Sequence, residues 1–99
     1  MIKVIIKKNS ITVDGHAMYD DYGKDIVCAG ASSILITTVN AILKFDNEAL
    51  KVIEGKSVKI NILKNDNITK TLIENMIEEF KELAKQYPKN IKIEEDNNE

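Results

Sequence analysis

Hydrophobic and polar residues alternate in distinct ways along this chain. Met1 to Lys7 is short and rich in β-branched residues, and after Lys8-Asn9-Ser10 the pattern resumes in Ile11-Thr12-Val13. Two such runs across a turn-forming break predict a β-hairpin. Gly15 and Gly23 bracket a polar stretch, residues 15–24, too irregular for helix or strand, which reads as a loop. From Asp25 to Phe45 nearly every side of the chain is apolar. Ile34 to Val39 is β-branched enough to pass for a strand, but the length of the run without a turn signal favours a helix, with Asp25 as its N-cap. A helix apolar nearly all round belongs between two layers, the sheet on one side and a second layer, such as a partner subunit, on the other.

The second half is more regular. Asp46 to Lys51 reads as a connection and Gly55 as a turn, while Ser57 to Leu63 alternates with the period of a half-buried strand. Apolar residues then recur every three or four positions from Ile68 to Tyr87, predicting an amphipathic helix capped by Asn67 and stopped by Pro88. Ile91-Lys92-Ile93 is a last short strand, and Glu94 to Glu99 an acidic tail with nothing to bury. The expected fold is an α/β (α+β) two-layer sandwich, a four-stranded sheet with two helices in the order ββαβαβ. Residues 1–93 form one domain.

Composition narrows the function. Ninety-nine residues, 43% of them hydrophobic, suffice for one core. No leader pattern is present at the N-terminus, and no apolar run reaches the ~18–20 residues of a membrane span, so a soluble cytoplasmic protein is expected. The single cysteine cannot form an internal disulfide, which fits a reducing compartment. Net charge is −2, arginine is absent, and the lysines lie scattered among carboxylates, so nucleic-acid binding is not expected. One Cys and one His are too few for a zinc site. Gly15 and Gly23 are too far apart for a phosphate loop. No metal or cofactor is implied.

The only cysteine and the only histidine fall in one stretch. With Asp25 as N-cap, Cys28 is the third helical residue, where unpaired N–H groups and the helix dipole favour a thiolate. Such positions lower a thiol pKa from about 8.5 towards neutrality or below. His16 is the candidate general base, and Gly15 before it allows a sharp backbone turn. Each has a plainer alternative: Cys28 as a small buried hydrophobe, His16 as a solvated loop side chain. Asp25 either caps the helix or orients His16. Ser32, one turn after Cys28, either hydrogen-bonds in the site or bonds a backbone carbonyl. The N–H groups of Cys28 and Ala29 are candidate oxyanion donors. Tyr19 and Tyr22 either line a substrate groove or cover the loop.

Gly15-His16-Ala17, Gly23-Lys24-Asp25, Ile26-Val27-Cys28-Ala29 and Ser32, in that order, resemble the signature of the ribosomal-processing cysteine protease family. Length, element order and the acidic tail fit it over nearly the whole chain. One departure is Gly30, where small helix-favouring residues are usual; glycine there costs about 1 kcal/mol relative to alanine. The resemblance implies a cysteine endopeptidase with Cys28 as nucleophile and His16 as base. It also implies a homodimer that removes a short N-terminal extension from a large-subunit ribosomal protein, cutting after a pair of phenylalanines. The competing reading is a non-catalytic ribosome-associated or redox-sensing domain with a reactive thiol.

Overall fold

The computed structural model describes residues 1–15 and 26–96. The elements are β1 (Ile2–Ile6), β2 (Ser10–Asp14), α1 (Ile26–Phe45), β3 (Leu50–Glu54), β4 (Val58–Ile62), α2 (Asn67–Gln86) and β5 (Ile91–Glu95). The strands form one mixed five-stranded sheet in the order β3-β4-β2-β1-β5. This corrects the expected four-stranded sheet and the order ββαβαβ: the class remains α+β, but the described elements run ββαββαβ.

The unexpected strand is β3, placed partly in what reads as a connection. Leu50 and Val52 alternate with Lys51, but Ile53 follows Val52 and breaks the period. Ile53 points to the open face of the sheet and is 46% exposed. What makes the segment a strand is its partner. It pairs antiparallel with β4 from Leu50 opposite Ile62 to Glu54 opposite Val58, turning through Gly55 to Ser57. A segment with a weak pattern of its own is thus specified by cross-strand pairing. β5 also runs two residues beyond Ile93. Glu94 and Glu95 pair in parallel with Ile5 and Ile6, and the Asp96 N–H extends the ladder to the Ile6 carbonyl at 2.8 Å.

Register sorts the side chains. Val4 lies opposite Val13 and Ile93, and Ile11 opposite Ile60, so Ile2, Val4, Ile11, Val13, Ile60 and Ile91 share one face. All six are buried. The other face carries Lys3, Thr12, Lys59, Asn61 and Lys92. Both helices therefore cover the same side, since their buried stripes join these residues in one core. The stripe of α2 is Thr69, Ile73, Met76 and Phe80; that of α1 is Val27, Ala31, Leu35, Val39 and Ile42. Gly30 sits where the helices meet: a methyl group there would lie 3.6 Å from both Leu83 δ-carbons.

The cap of α2 is Asp66, one residue before the expected Asn67. Asp66 has extended backbone angles (φ −80°, ψ 166°) and accepts a 2.9 Å bond from the Thr69 N–H, while the Thr69 hydroxyl donates to its other oxygen at 3.2 Å. A carboxylate at this position satisfies an otherwise unpaired helix N–H, which leaves Asn67 as the first helical residue. These bonds hold the Asp66 carboxyl below its ordinary 3.8. At the other end the Tyr87 N–H donates to the Leu83 carbonyl at 2.9 Å, and Pro88 follows.

α1 also corrects the expectation that no apolar run reaches membrane-span length. Its 20 residues, with a mean hydropathy of 1.9, would suffice by length and composition alone. In the fold it lies over the sheet with 22% of that apolar window buried: Val27, Ala31, Leu35, Val39 and Ile42 meet the core, while Ile26, Ile36 and Phe45 are exposed. Its end is tied down by Asp46, whose carboxylate accepts from the Glu48 N–H at 2.9 Å and from Lys64 Nζ at 2.6 Å.

Candidate active site

Cys28 is the third residue of α1, as the sequence places it, within the turn whose N–H groups have no intrahelical acceptor. It is half-buried and packs against the core beside Val27. Val27 and Ala31 are both buried and lie one turn apart on the core face, so they fix the rotation of the first turns. Cys28 is offset from that face by one residue, about 100° around the axis. The helix is thus anchored by Val27 and holds the thiol at the border between core and surface.

Ser32 lies one turn beyond Cys28 on the same stripe and is half-buried, whereas Ala29 is exposed. From Ser32 the stripe runs along a groove of about 560 Å³. Ser32, Leu35, Ile36 and Val39 form its helical wall, and Val52 and Val58 its sheet floor. Glu54 and Gly55 lie at the β3 to β4 turn, and Asn40 closes the helical side. Only Asp46 to Ala49 join α1 to β3. So short a connection sends β3 back along the helix, which puts Glu54 and Gly55 towards the Cys28 end of the groove. The groove was not foreseen from sequence, because its floor depends on β3.

Gly15 ends β2 with φ +75°, a conformation that favours glycine. A Cβ at Gly15 would stand 2.5 Å from the Met1 carbonyl oxygen, so both conformation and space require glycine. It directly precedes His16. His16, Tyr19, Tyr22, Gly23 and Asp25 lie outside the described residues. The structure thus locates Cys28, Ala29, Ser32 and Gly15, and brings Cys28 and Ser32 onto one stripe of α1.

The sequence profile of the family described as Cysteine protease Prp matches residues 1–92. The ribosomal processing cysteine protease Prp of Staphylococcus aureus is 31% identical over 91 residues, covering 88% of this chain and 86% of that protein. Its namesake in Mycoplasma pneumoniae is 33% identical over 98 residues, covering 96% and 95%. Among solved structures, the S. aureus protease with a covalently linked product peptide superposes with a TM-score of 0.87 at 29% identity, covering 97% of this chain and 100% of that one. The same protease with a substrate peptide gives 0.86 at 28% identity, with the same coverage.

Proposed function

This chain belongs to the Cysteine protease Prp family, and from that premise we propose that it is an endopeptidase using the Cys28 thiolate as nucleophile and His16 as general base. The observation that carries the assignment is a count. A cysteine protease needs a thiol, and this chain has one. Its place in the first turn of α1 supports the same reading, because that turn favours the anion that attacks.

The reaction then follows the general course of thiol acyl transfer. His16 takes the proton from Cys28, and the thiolate adds to the peptide carbonyl. The resulting oxyanion is met by the N–H groups of Cys28 and Ala29. Collapse of the tetrahedral intermediate expels the amine, which leaves with the proton from His16, and the acyl group stays on sulfur. Water, deprotonated by His16, hydrolyses the thioester and restores the thiol. Asp25 serves either as helix cap or as the group orienting His16, and Ser32 stands one turn below the thiol.

The proposed substrate is the N-terminal extension of a large-subunit ribosomal protein. Supporting it are the names of the relatives, which process ribosomal protein, and the peptides bound to one of them. The reading extends to a cytoplasmic homodimer, for which the support is apolar surface on α1, where Phe45 is 69% exposed.

The test is incubation with the unprocessed ribosomal protein of the same organism, followed by mass spectrometry. One N-terminal fragment and one mature product are expected. Cys28→Ala, a small change in volume, should fold and bind the peptide while cutting it at least about a thousandfold more slowly. Cleavage by that variant at a larger fraction of the parent rate would remove the nucleophile assignment.

A further inference from the structure

Lysines that lie scattered in sequence are gathered by the sheet. Both helices cover one face, and strand alternation turns Lys3, Lys51, Lys59 and Lys92 to the other, where all four are exposed. Lys51 pairs with Asn61 and Lys59 with Ile53, so these two lie on adjacent strands and two residues apart along them. Thr12 stands opposite both Lys59 and Ile5, and Lys3, two residues further in the same direction, pairs with Lys92. At ~4.8 Å between strands and ~3.3 Å per residue, the four positions form a diagonal track about 23 Å long from β3 to β5.

The carboxylates on this face are Asp14, at the end of β2, and Glu94, which lies 4.0 Å from Lys3 and 3.8 Å from Lys92. Lys7 and Asp96 follow β1 and β5 at the far end of the sheet and cancel. Four lysines against two carboxylates leave the face positive on a chain whose net charge is −2. Among the described residues, Lys51 and Lys59 make no ion pair. Local distribution, not net charge, is what a polyanion meets.

The residues between the lysines select the polyanion. Thr12 and Asn61 offer a hydroxyl and an amide, and the apolar side chains on this face are Ile5 and Ile53, on strands that are not neighbours. A protein interface needs an apolar centre, and a membrane surface needs an apolar face to insert. None of the five strands contains an aromatic residue, the platform on which single-stranded bases stack. An RNA duplex, in contrast, is recognised through its phosphates and hydroxyls. We propose that the helix-free face of the sheet binds the phosphate backbone of an RNA duplex, with Lys51 and Lys59 in the contact and no reading of sequence. The proposal rests on the sheet alone and is independent of the chemistry at Cys28, on the helical side.

Fluorescence anisotropy with a labelled RNA duplex of about 20 base pairs, longer than the ~16 that one double-strand-binding domain spans, tests this. Four phosphate contacts give log K a slope of about −3 to −4 against log salt, a loss of roughly a hundredfold between about 50 and 200 mM KCl. Lys51→Gln with Lys59→Gln should weaken binding at least about tenfold and make the slope shallower by about 2. Lys70→Gln with Lys85→Gln, the same change of charge on α2, should stay within about twofold. Should the first pair unfold the protein, Lys59→Gln alone carries the test with a slope shallower by about 1. Equal losses in the two double variants would overturn the proposal, as would failure to bind the duplex or an affinity indifferent to salt. Tighter binding to phosphatidylglycerol vesicles than to the duplex would also overturn it, by making the face a lipid surface. Cleavage of a short peptide should be unchanged by Lys51→Gln with Lys59→Gln; a lowered kcat/KM would tie this face to the active site and remove its separate role.

Discussion

Gly30→Ala should make this protein more stable. Glycine in a helix interior is about 1 kcal/mol less favourable than alanine, because its backbone loses more freedom on folding. Gly30 is the fifth residue of α1, and its φ lies outside the left-handed region. The added methyl would stand 3.6 Å from both δ-carbons of Leu83, ordinary van der Waals contact at the crossing with α2. Burying it there adds a fraction of the ~0.8 kcal/mol of a fully buried methylene, for a total of about 1 to 1.5 kcal/mol. In a domain of this size that is a rise in Tm of roughly 4–10 °C. Urea unfolding should show a higher midpoint with an unchanged slope. An unchanged or lower midpoint would refute the reasoning, by showing that the helices cannot accept a methyl where they meet. Activity adds a second reading. Gly30 is two residues beyond Cys28, so a stabilised variant with much reduced kcat would show that the first turns must flex during the reaction.

Gly15→Ala should act in the opposite sense: it combines a positive φ with a 2.5 Å approach to the Met1 carbonyl, and a loss exceeding 1 kcal/mol is expected by urea unfolding. Asp46 and Asp66 have carboxyls held below the ordinary 3.8, first by the Lys64 hydrogen bond and by the Thr69 N–H respectively. Their contribution is complete above that value and lost as pH falls through the lowered one, so thermal stability should decline below about pH 4. Asp66→Asn keeps a good cap without the titration; it should unfold near the parent temperature at pH 7 and show a shallower acid decline in a series of melts.

Elements with a sustained period were legible in the sequence. The β1 to β2 hairpin, β4 and α2 each carry their own pattern, and the length of α1 settles its state against a β-branched centre. β3 was not legible, because Ile53 sits on the open face and spoils the alternation that Leu50 and Val52 begin. The same reasoning explains the short estimate for β5: Glu94 and Glu95 have strand backbones because β1 offers them a ladder, whatever their side chains prefer. The cap of α2 was misplaced by one residue because Asp66 and Asn67 are both good caps, and only the bond to Thr69 distinguishes them. The place of Cys28 was readable from the apolar run that follows Asp25, and membership in a cysteine protease family replaces the non-catalytic alternative. The groove was hidden for a topological reason. Its helical wall and its sheet floor lie on opposite sides of the connection between α1 and β3, and the floor includes β3, the one strand that had not been recognised.

The two helices differ in where their apolar residues lie. α2 has one apolar stripe and a charged remainder, which suits a helix with solvent on its far side. In α1 the stripe Val27, Ala31, Leu35, Val39 and Ile42 meets the core, Gly30 meets Leu83 of α2, and Ser32, Leu35, Ile36 and Val39 wall the groove. Leu35 and Val39 belong to both the core stripe and the groove wall, so these faces are adjacent. The core and α2 thus meet apolar positions of α1, while Ile26, Ile36 and Phe45 remain exposed apolar surface on the same helix. Anchoring the thiol and shaping the adjoining groove on one rigid helix fixes the spacing between them.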